Sequence, residues 1–77
     1  MKFTWGVSDI KPGLEVIRPP HTTLYVIGYY ISINDDKKYC LIDLRDGAVG
    51  EPRTKDELTA ALNRSGYVPR YTFEPHG

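Results

Sequence analysis

Side chains of the types that carry out chemistry are few in this 77-residue sequence, and they lie far apart. Cys40 is the single cysteine, and the two histidines are His21 and His76. A thiol nucleophile needs a base within hydrogen-bond reach, but His21 follows a Pro-Pro pair that predicts a loop and His76 lies in a terminal Glu-Pro-His-Gly stretch. Cys40 falls in an apolar run, which predicts a small, reduced core side chain. The sequence therefore favours a protein that is not an enzyme.

Metal and cofactor chemistry have equally little support. His21 has no second His, Cys or acidic residue at ligand spacing. The carboxylates of Asp35-Asp36 are flanked by Lys37 and Lys38, and such neighbours in a loop usually serve turn geometry and solvation. Neither GxxxxGK[ST] nor GxGxxG occurs around Gly47 and Gly50, so no phosphate-binding loop is indicated. We expect neither a metal nor a cofactor.

Composition limits the class of protein. Lys+Arg and Asp+Glu balance at 10 each, so no global field draws the chain to nucleic acid or anionic lipid. The start of the chain lacks the apolar region of a signal peptide, and no apolar run approaches the ~20 residues of a membrane helix. We expect a cytoplasmic protein without a membrane segment, folded as a single domain over residues 1–77 with a frayed tail at 74–77.

The elements that must position any functional side chain centre on residues 22–45. Two β-rich runs, 23–33 and 38–45, flank Asn34-Asp35-Asp36-Lys37, which predicts a long hairpin closed by a four-residue loop. Alternation along each strand then sorts the side chains onto two faces. The predicted register pairs Ile31 with Cys40, Tyr29 with Ile42 and Ile27 with Leu44 on a nearly all-apolar face.

The second face of this hairpin is the candidate partner-binding surface. It mixes rings, aliphatic side chains and charge, and tyrosine suits interfaces because it supplies contact area at little entropic cost. The residues predicted to share it are Tyr30, Tyr39, Leu41, Val26, Arg45 and Asp43.

One helix is predicted after residue 53. Thr54 and Glu57 match the capping box at a helix start, and Gly66 suits the left-handed position at its end. Leu58 and Leu62 lie on one face, four residues apart. Because an isolated helix of about three turns is marginal in water, this face must pack on the sheet.

The remaining segments predict short strands around the hairpin. They are 3–7, with Trp5 as a core anchor; 14–18, after a type II turn at Pro12-Gly13; a brief edge at 48–51, after the Asp46-Gly47 turn; and 67–73, an edge strand that closes the sheet. The predicted fold is α+β, a small antiparallel sheet of four to five strands organised on the hairpin with one helix packed on one face. The alternative is an SH3-like or OB-like small barrel.

Three functions remain open. The first is a small module or modulator that docks on a larger protein, or on a second copy, through the Tyr-rich face. The second is single-stranded nucleic-acid binding, in which tyrosines stack on bases while Arg18, Arg45, Lys37 and Lys38 meet phosphates. The third is a purely structural or homodimeric scaffold, and in the structural case a curled sheet encloses the second face.

Overall fold

The computed structural model describes residues 3–31 and 33–72 as one layer of sheet with a helix on one side. The elements in chain order are a 3₁₀ turn at Val7–Asp9, β1 (Glu15–Ile17), β2 (Leu24–Ile31), β3 (Lys37–Asp43), α1 (Lys55–Ser65), β4 (Val68–Pro69) and a second 3₁₀ turn at Arg70–Thr72. The strands form one antiparallel sheet in the order β3-β2-β1-β4. The predicted α+β fold is confirmed, and the described strands do not close into a barrel because β3 and β4 lie at opposite edges.

The hydrophobic core lies between α1 and the sheet face that carries the odd-numbered residues of β2. Val16 and Ile27 of the sheet are at most 1% exposed, and Leu58 and Leu62 of the helix at most 2%. Trp5 joins this cluster at 3% exposure. The predicted packing of the helix and the predicted Trp5 anchor are both confirmed.

Local signals in the sequence define the ends of α1. The Thr54 side chain accepts a hydrogen bond from the Glu57 amide at 3.2 Å, and the Glu57 carboxylate accepts one from the Thr54 amide at 2.9 Å. Gly66 ends the helix with a φ of 78°, a left-handed conformation that costs glycine little. The capping box and the glycine terminus are therefore confirmed.

The first described residues do not form the strand predicted for 3–7; that prediction is wrong. Instead the side chain of Asn63 clamps the backbone of Trp5. The Trp5 amide donates to Asn63 Oδ1 at 2.7 Å, and Asn63 Nδ2 donates to the Trp5 carbonyl at 3.0 Å. The indole Nε1 donates to the Tyr67 carbonyl at 2.8 Å. An amide side chain thus satisfies backbone groups that a neighbouring strand would otherwise satisfy.

The turn and strands around β1 agree better with the prediction from the sequence. Gly13 has a φ of 90°, and the Leu14 amide donates to the Lys11 carbonyl at 3.2 Å, which confirms the turn at Pro12-Gly13. The predicted strand 14–18 is β1. The predicted strand 67–73 shrinks to β4, an edge as expected, because the chain turns at Arg70–Thr72. Phe73 and the predicted tail 74–77 lie outside the described residues.

The hairpin exists, but its predicted register is wrong by three residues. Tyr29 lies opposite Tyr39 rather than Ile42, and Ile27 lies opposite Leu41 rather than Leu44. β2 ends at Ile31 and β3 begins at Lys37, and in the connection between them Asp35 has a φ of 63°. Because three is odd, every residue of β3 moves to the face opposite the predicted one.

Residues 48–53 run back along β3 and pair with it as an irregular fifth segment of the sheet. This confirms the predicted brief pairing after Asp46-Gly47. The Gly50 amide donates to the Leu41 carbonyl at 2.8 Å, and Tyr39 and Arg53 exchange both backbone hydrogen bonds at 2.6 and 2.7 Å. The four residues from Gly50 to Arg53 lie opposite only three on β3, from Leu41 to Tyr39, so this segment carries a bulge that contains Pro52.

The molecule is elongated, with extents of 46 × 27 × 17 Å. Its radius of gyration of 12.5 Å exceeds the ~11.5 Å typical of a compact chain of this length. The hairpin end, residues 28–31 and 33–38, is here named the arm. Tyr29, Tyr30 and Ile31 are consecutive yet 45–52% exposed, so neither face is covered there.

Candidate binding surface

The six residues predicted to form one partner-binding face do not share a face. The observed register places Tyr30 and Val26 on the side of the sheet away from α1. The same register turns Tyr39, Leu41 and Asp43 towards the helix, where Tyr39 and Leu41 pack against the core. Arg45 lies in the turn that follows β3. The predicted grouping is therefore wrong, and the cause is the odd shift in register.

The side of the sheet away from α1 is the candidate surface. Cross-strand partners share a face, so the rows of this face can be read from the pairing. In one row of side chains across the sheet, Val49 lies opposite Ile42, Ile42 opposite Val26, and Val26 opposite Glu15. In the next row, Leu24 lies opposite Ile17. The Leu44 amide bonds the Leu24 carbonyl at 3.1 Å and extends that row. We name the apolar members exposed or half-buried here the open face: Leu24, Val26, Tyr30, Ile42, Leu44 and Val49.

Gly28 keeps the centre of the open face shallow. A Cβ built on Gly28 would lie 2.8 Å from Ile42 Cδ1 and 3.6 Å from Cys40 Sγ. The two side chains therefore fold over the glycine, and Cys40 is 4% exposed. Cys40 is thus buried although it lies on the face that the helix does not cover.

Two depressions flank Leu44 at one end of the open face. One, of about 400 Å³, is bounded by Val26, Leu44 and Tyr71 together with Glu15 and Arg70. The other, of about 340 Å³, lies between Leu24, Leu44 and the chain at 22–23. Glu15 and Arg70 form an ion pair of 3.6 Å at the rim. The surface thus has an apolar centre and a charged border, the usual anatomy of a protein interface.

Asp43 and Arg45, two of the predicted binding residues, are engaged with each other. The Asp43 carboxylate accepts hydrogen bonds from Arg45 Nη2 at 2.9 Å, Nε at 3.3 Å and the Arg45 backbone amide at 2.8 Å. These bonds lower the pKa of Asp43 below its ordinary value, because they favour the charged carboxylate. The pair shapes the turn after β3.

A separate cleft of about 370 Å³ lies on the helix side, between α1, β3 and residues 48–53. Leu41 and Leu62 line it, and the rings of Tyr25 and Tyr67 meet edge to face at 5.7 Å within its wall. Burial raises the pKa of Tyr67 above its ordinary value. The sequence reading missed this cleft, since it depends on where the edge at 48–53 returns.

The residues first considered for chemistry do not assemble. Cys40 is buried and His21 is exposed in the loop before β2, and His76 lies outside the described residues. Within residues 3–31 and 33–72, no group of three metal-ligating side chains occurs. No helix in that part of the chain is long and apolar enough to span a bilayer.

Comparison with protein-family models, with curated proteins and with solved structures finds no match for this chain.

Proposed function

We propose that this chain is a small non-catalytic module that docks on a larger protein through the open face. The observation that carries the proposal is the exposure of apolar side chains on the side of the sheet away from α1. Ile17 and Cys40 are buried on that side, but the residues of the open face are exposed or half-buried there. Contiguous exposed apolar surface with a polar rim is typical of interaction sites.

Exposure of individual side chains supports this use of the face. Tyr30 is 45% exposed, Leu44 48% and Val49 64%. Tyr71, beside the larger depression, is 62% exposed. Aromatic rings with polar tips serve both in water and in a desolvated contact, and Leu24, Val26 and Ile42 add half-buried aliphatic surface to the same face.

Nucleic-acid binding, the second function considered above, has weaker geometric support. The guanidinium of Arg18 lies over the Tyr67 ring, 5.6 Å from its centroid, on the helix side. Arg45 is paired with Asp43, and Lys37 and Lys38 lie in the arm. These cations do not converge on one groove, whereas binding to single-stranded nucleic acid requires a continuous positively charged groove along its backbone.

The test is affinity capture from the native host with matched variants. Leu44→Glu and Val49→Glu place charge on the open face at exposed positions, and Val7→Glu does the same at an apolar residue that is 42% exposed and outside that face. A protein partner should be retained by the wild type and by Val7→Glu and lost with the other two. A direct titration with the purified partner should show at least a tenfold loss of affinity for each open-face variant.

Retention of the same protein by all variants would contradict the proposal. So would a chain that captures nucleic acid in place of protein, with affinity that falls steeply as salt rises.

A further inference from the structure

The arm has an unpaired backbone edge on β2. The Ile27 amide donates to the Leu14 carbonyl at 2.9 Å, and the Ile27 carbonyl accepts from the Gly13 amide at 2.7 Å. Alternate residues of a strand direct their backbone groups to the same side, so Tyr29 and Ile31 point theirs to this side as well. There β1 has already turned away at Pro12-Gly13, and no backbone partner of Tyr29 or Ile31 on that side occurs within the described ranges.

The other edges of the sheet are protected against strand addition, and this one is not. Pro69 lies in the two-residue edge strand β4, and Pro52 lies in the bulge of the edge at 48–53. The outer edge of β3 in the arm carries Lys37 and Lys38. Proline, bulges and lysine are the devices that keep sheet edges from pairing. By contrast, residues 22–34 contain no charged residue and no proline.

We propose that two copies of this chain pair antiparallel through the β2 edges of their arms. The geometry points to a two-fold axis at Tyr30. Tyr29 then lies opposite Ile31 of the second copy, and each such pair exchanges two backbone hydrogen bonds. The two Tyr30 residues face each other across the axis as a non-hydrogen-bonded pair, the closer of the two kinds of cross-strand contact.

A second copy suits this edge better than a charged partner strand. The edge presents Tyr29, Tyr30 and Ile31 and no charge, so it is complementary to another uncharged apolar strand, and its own sequence is one. Like charges do not oppose the pairing. Lys38 lies opposite Tyr30 on β3, which places the two copies of Lys38 three strand spacings, or about 14 Å, apart. That separation exceeds the screening length of physiological salt.

The contact is short, so the dimer is expected to be weak. Sedimentation should show the mass of a monomer at about 10 μM and an approach to the mass of a dimer at about 1 mM. Amide exchange in the wild type gives a second readout. The exchange rates of the Tyr29 and Ile31 amides should fall at least several-fold between the same two concentrations, while amides already bonded to β1 or β3 change little.

Charge substitution at the axis tests the register. Tyr30→Glu and Tyr30→Lys each place two like-charged side chains directly opposite each other across the axis, with their Cβ atoms about 5 Å apart, so each variant alone should remain monomeric. An equimolar mixture of the two should dimerise at a lower concentration than the wild type. Far-UV circular dichroism checks that each variant keeps the fold.

Leu44→Glu is the control, because Leu44 lies on the open face outside the arm; it should dimerise as the wild type does. The inference does not rest on the proposed function, and the two fail separately, one in partner capture and the other in sedimentation. A wild type that stays monomeric at every concentration, with unchanged Tyr29 and Ile31 exchange, would overturn the proposal. So would a mixture of the charged variants that fails to associate.

Discussion

Replacing Asn63 with alanine tests whether one amide side chain holds the first described segment of the chain on the helix. The substitution removes both hydrogen bonds between that amide and the backbone of Trp5, of 2.7 and 3.0 Å. It leaves the Trp5 amide and carbonyl without their partners. The hydrogen bond from the indole to Tyr67 and the apolar contacts of the ring are unchanged.

Three terms set the expected loss of stability. Two net hydrogen bonds contribute about 1–3 kcal/mol in total. Asn63 is an exposed residue, so water replaces part of that contribution and the lower half of the range applies. Alanine is the better helix former by roughly 0.5 kcal/mol, which acts in the opposite direction. The net loss is about 1 kcal/mol, a noticeable fraction of the ~4–12 kcal/mol expected for a chain of this length.

Urea denaturation followed by far-UV circular dichroism measures this loss, and amide exchange at Trp5 locates it. Arg64→Ala is the control, because Arg64 is the exposed neighbour in the same helical turn; a change within about 0.5 kcal/mol is expected there. If Asn63→Ala loses no more stability than Arg64→Ala, and the Trp5 amide exchanges at its former rate, the clamp does not hold the segment.

Other substitutions test the core, the centre of the open face and the turn after β3. Leu62→Ala removes a side chain that is 1% exposed and should cost about 2–5 kcal/mol by chemical denaturation, with a loss below about 1 kcal/mol contradicting the packing of α1. Gly28→Ala brings a methyl group 2.8 Å from Ile42 Cδ1 and should cost about 1 kcal/mol, as overpacking outweighs the gain in backbone rigidity. Ile42→Val removes that atom, so a double-mutant cycle should show the two losses to be less than additive. The pKa of Asp43 is lowered by its hydrogen bonds from Arg45, so its contribution to stability is present above the ordinary carboxyl pKa of about 3.9 and is lost as pH falls through the lowered value. Calorimetry from neutral pH down to about 2 should therefore show a smaller acid loss in Asp43→Asn than in the wild type, and parallel curves would refute this.

The sequence predicts most accurately those features that nearby residues determine. Thr54 and Glu57 lie three residues apart and cap the same turn, so the start of α1 can be read directly from them. Gly66 marks the end of the helix in the same way, and Pro12-Gly13 specifies its turn. Each of these features depends on a few neighbouring residues, which explains their accurate prediction.

The register of the hairpin depends on contacts that local patterns do not contain. The predicted register and the observed one, in which Ile31 lies opposite Lys37, both suit the stretch around Asp35, and packing decides between them. In the observed register Tyr39 stacks on Tyr29 at 5.7 Å, and Ile42 folds over Gly28. The strand predicted from the alternation in residues 3–7 is wrong for a related reason, because the hydrogen-bond partner of the Trp5 backbone is a side chain 58 positions away. An error in the register was enough to divide the predicted binding residues between two faces, although the fold class was right.

The aromatic residues divide the molecule into two regions with different optical signals. Trp5, the sole tryptophan of the sequence, lies in the packed body, whereas Tyr29 and Tyr30 belong to the arm. Indole emission therefore reports melting of the body and is insensitive to the hairpin end. The tyrosine bands in the near-ultraviolet dichroism combine the arm with the Tyr25–Tyr67 pair of the body, so a loss of tyrosine signal that precedes the change in indole emission reports the arm. One heated sample, observed at both wavelengths, shows whether the arm frays before the body melts.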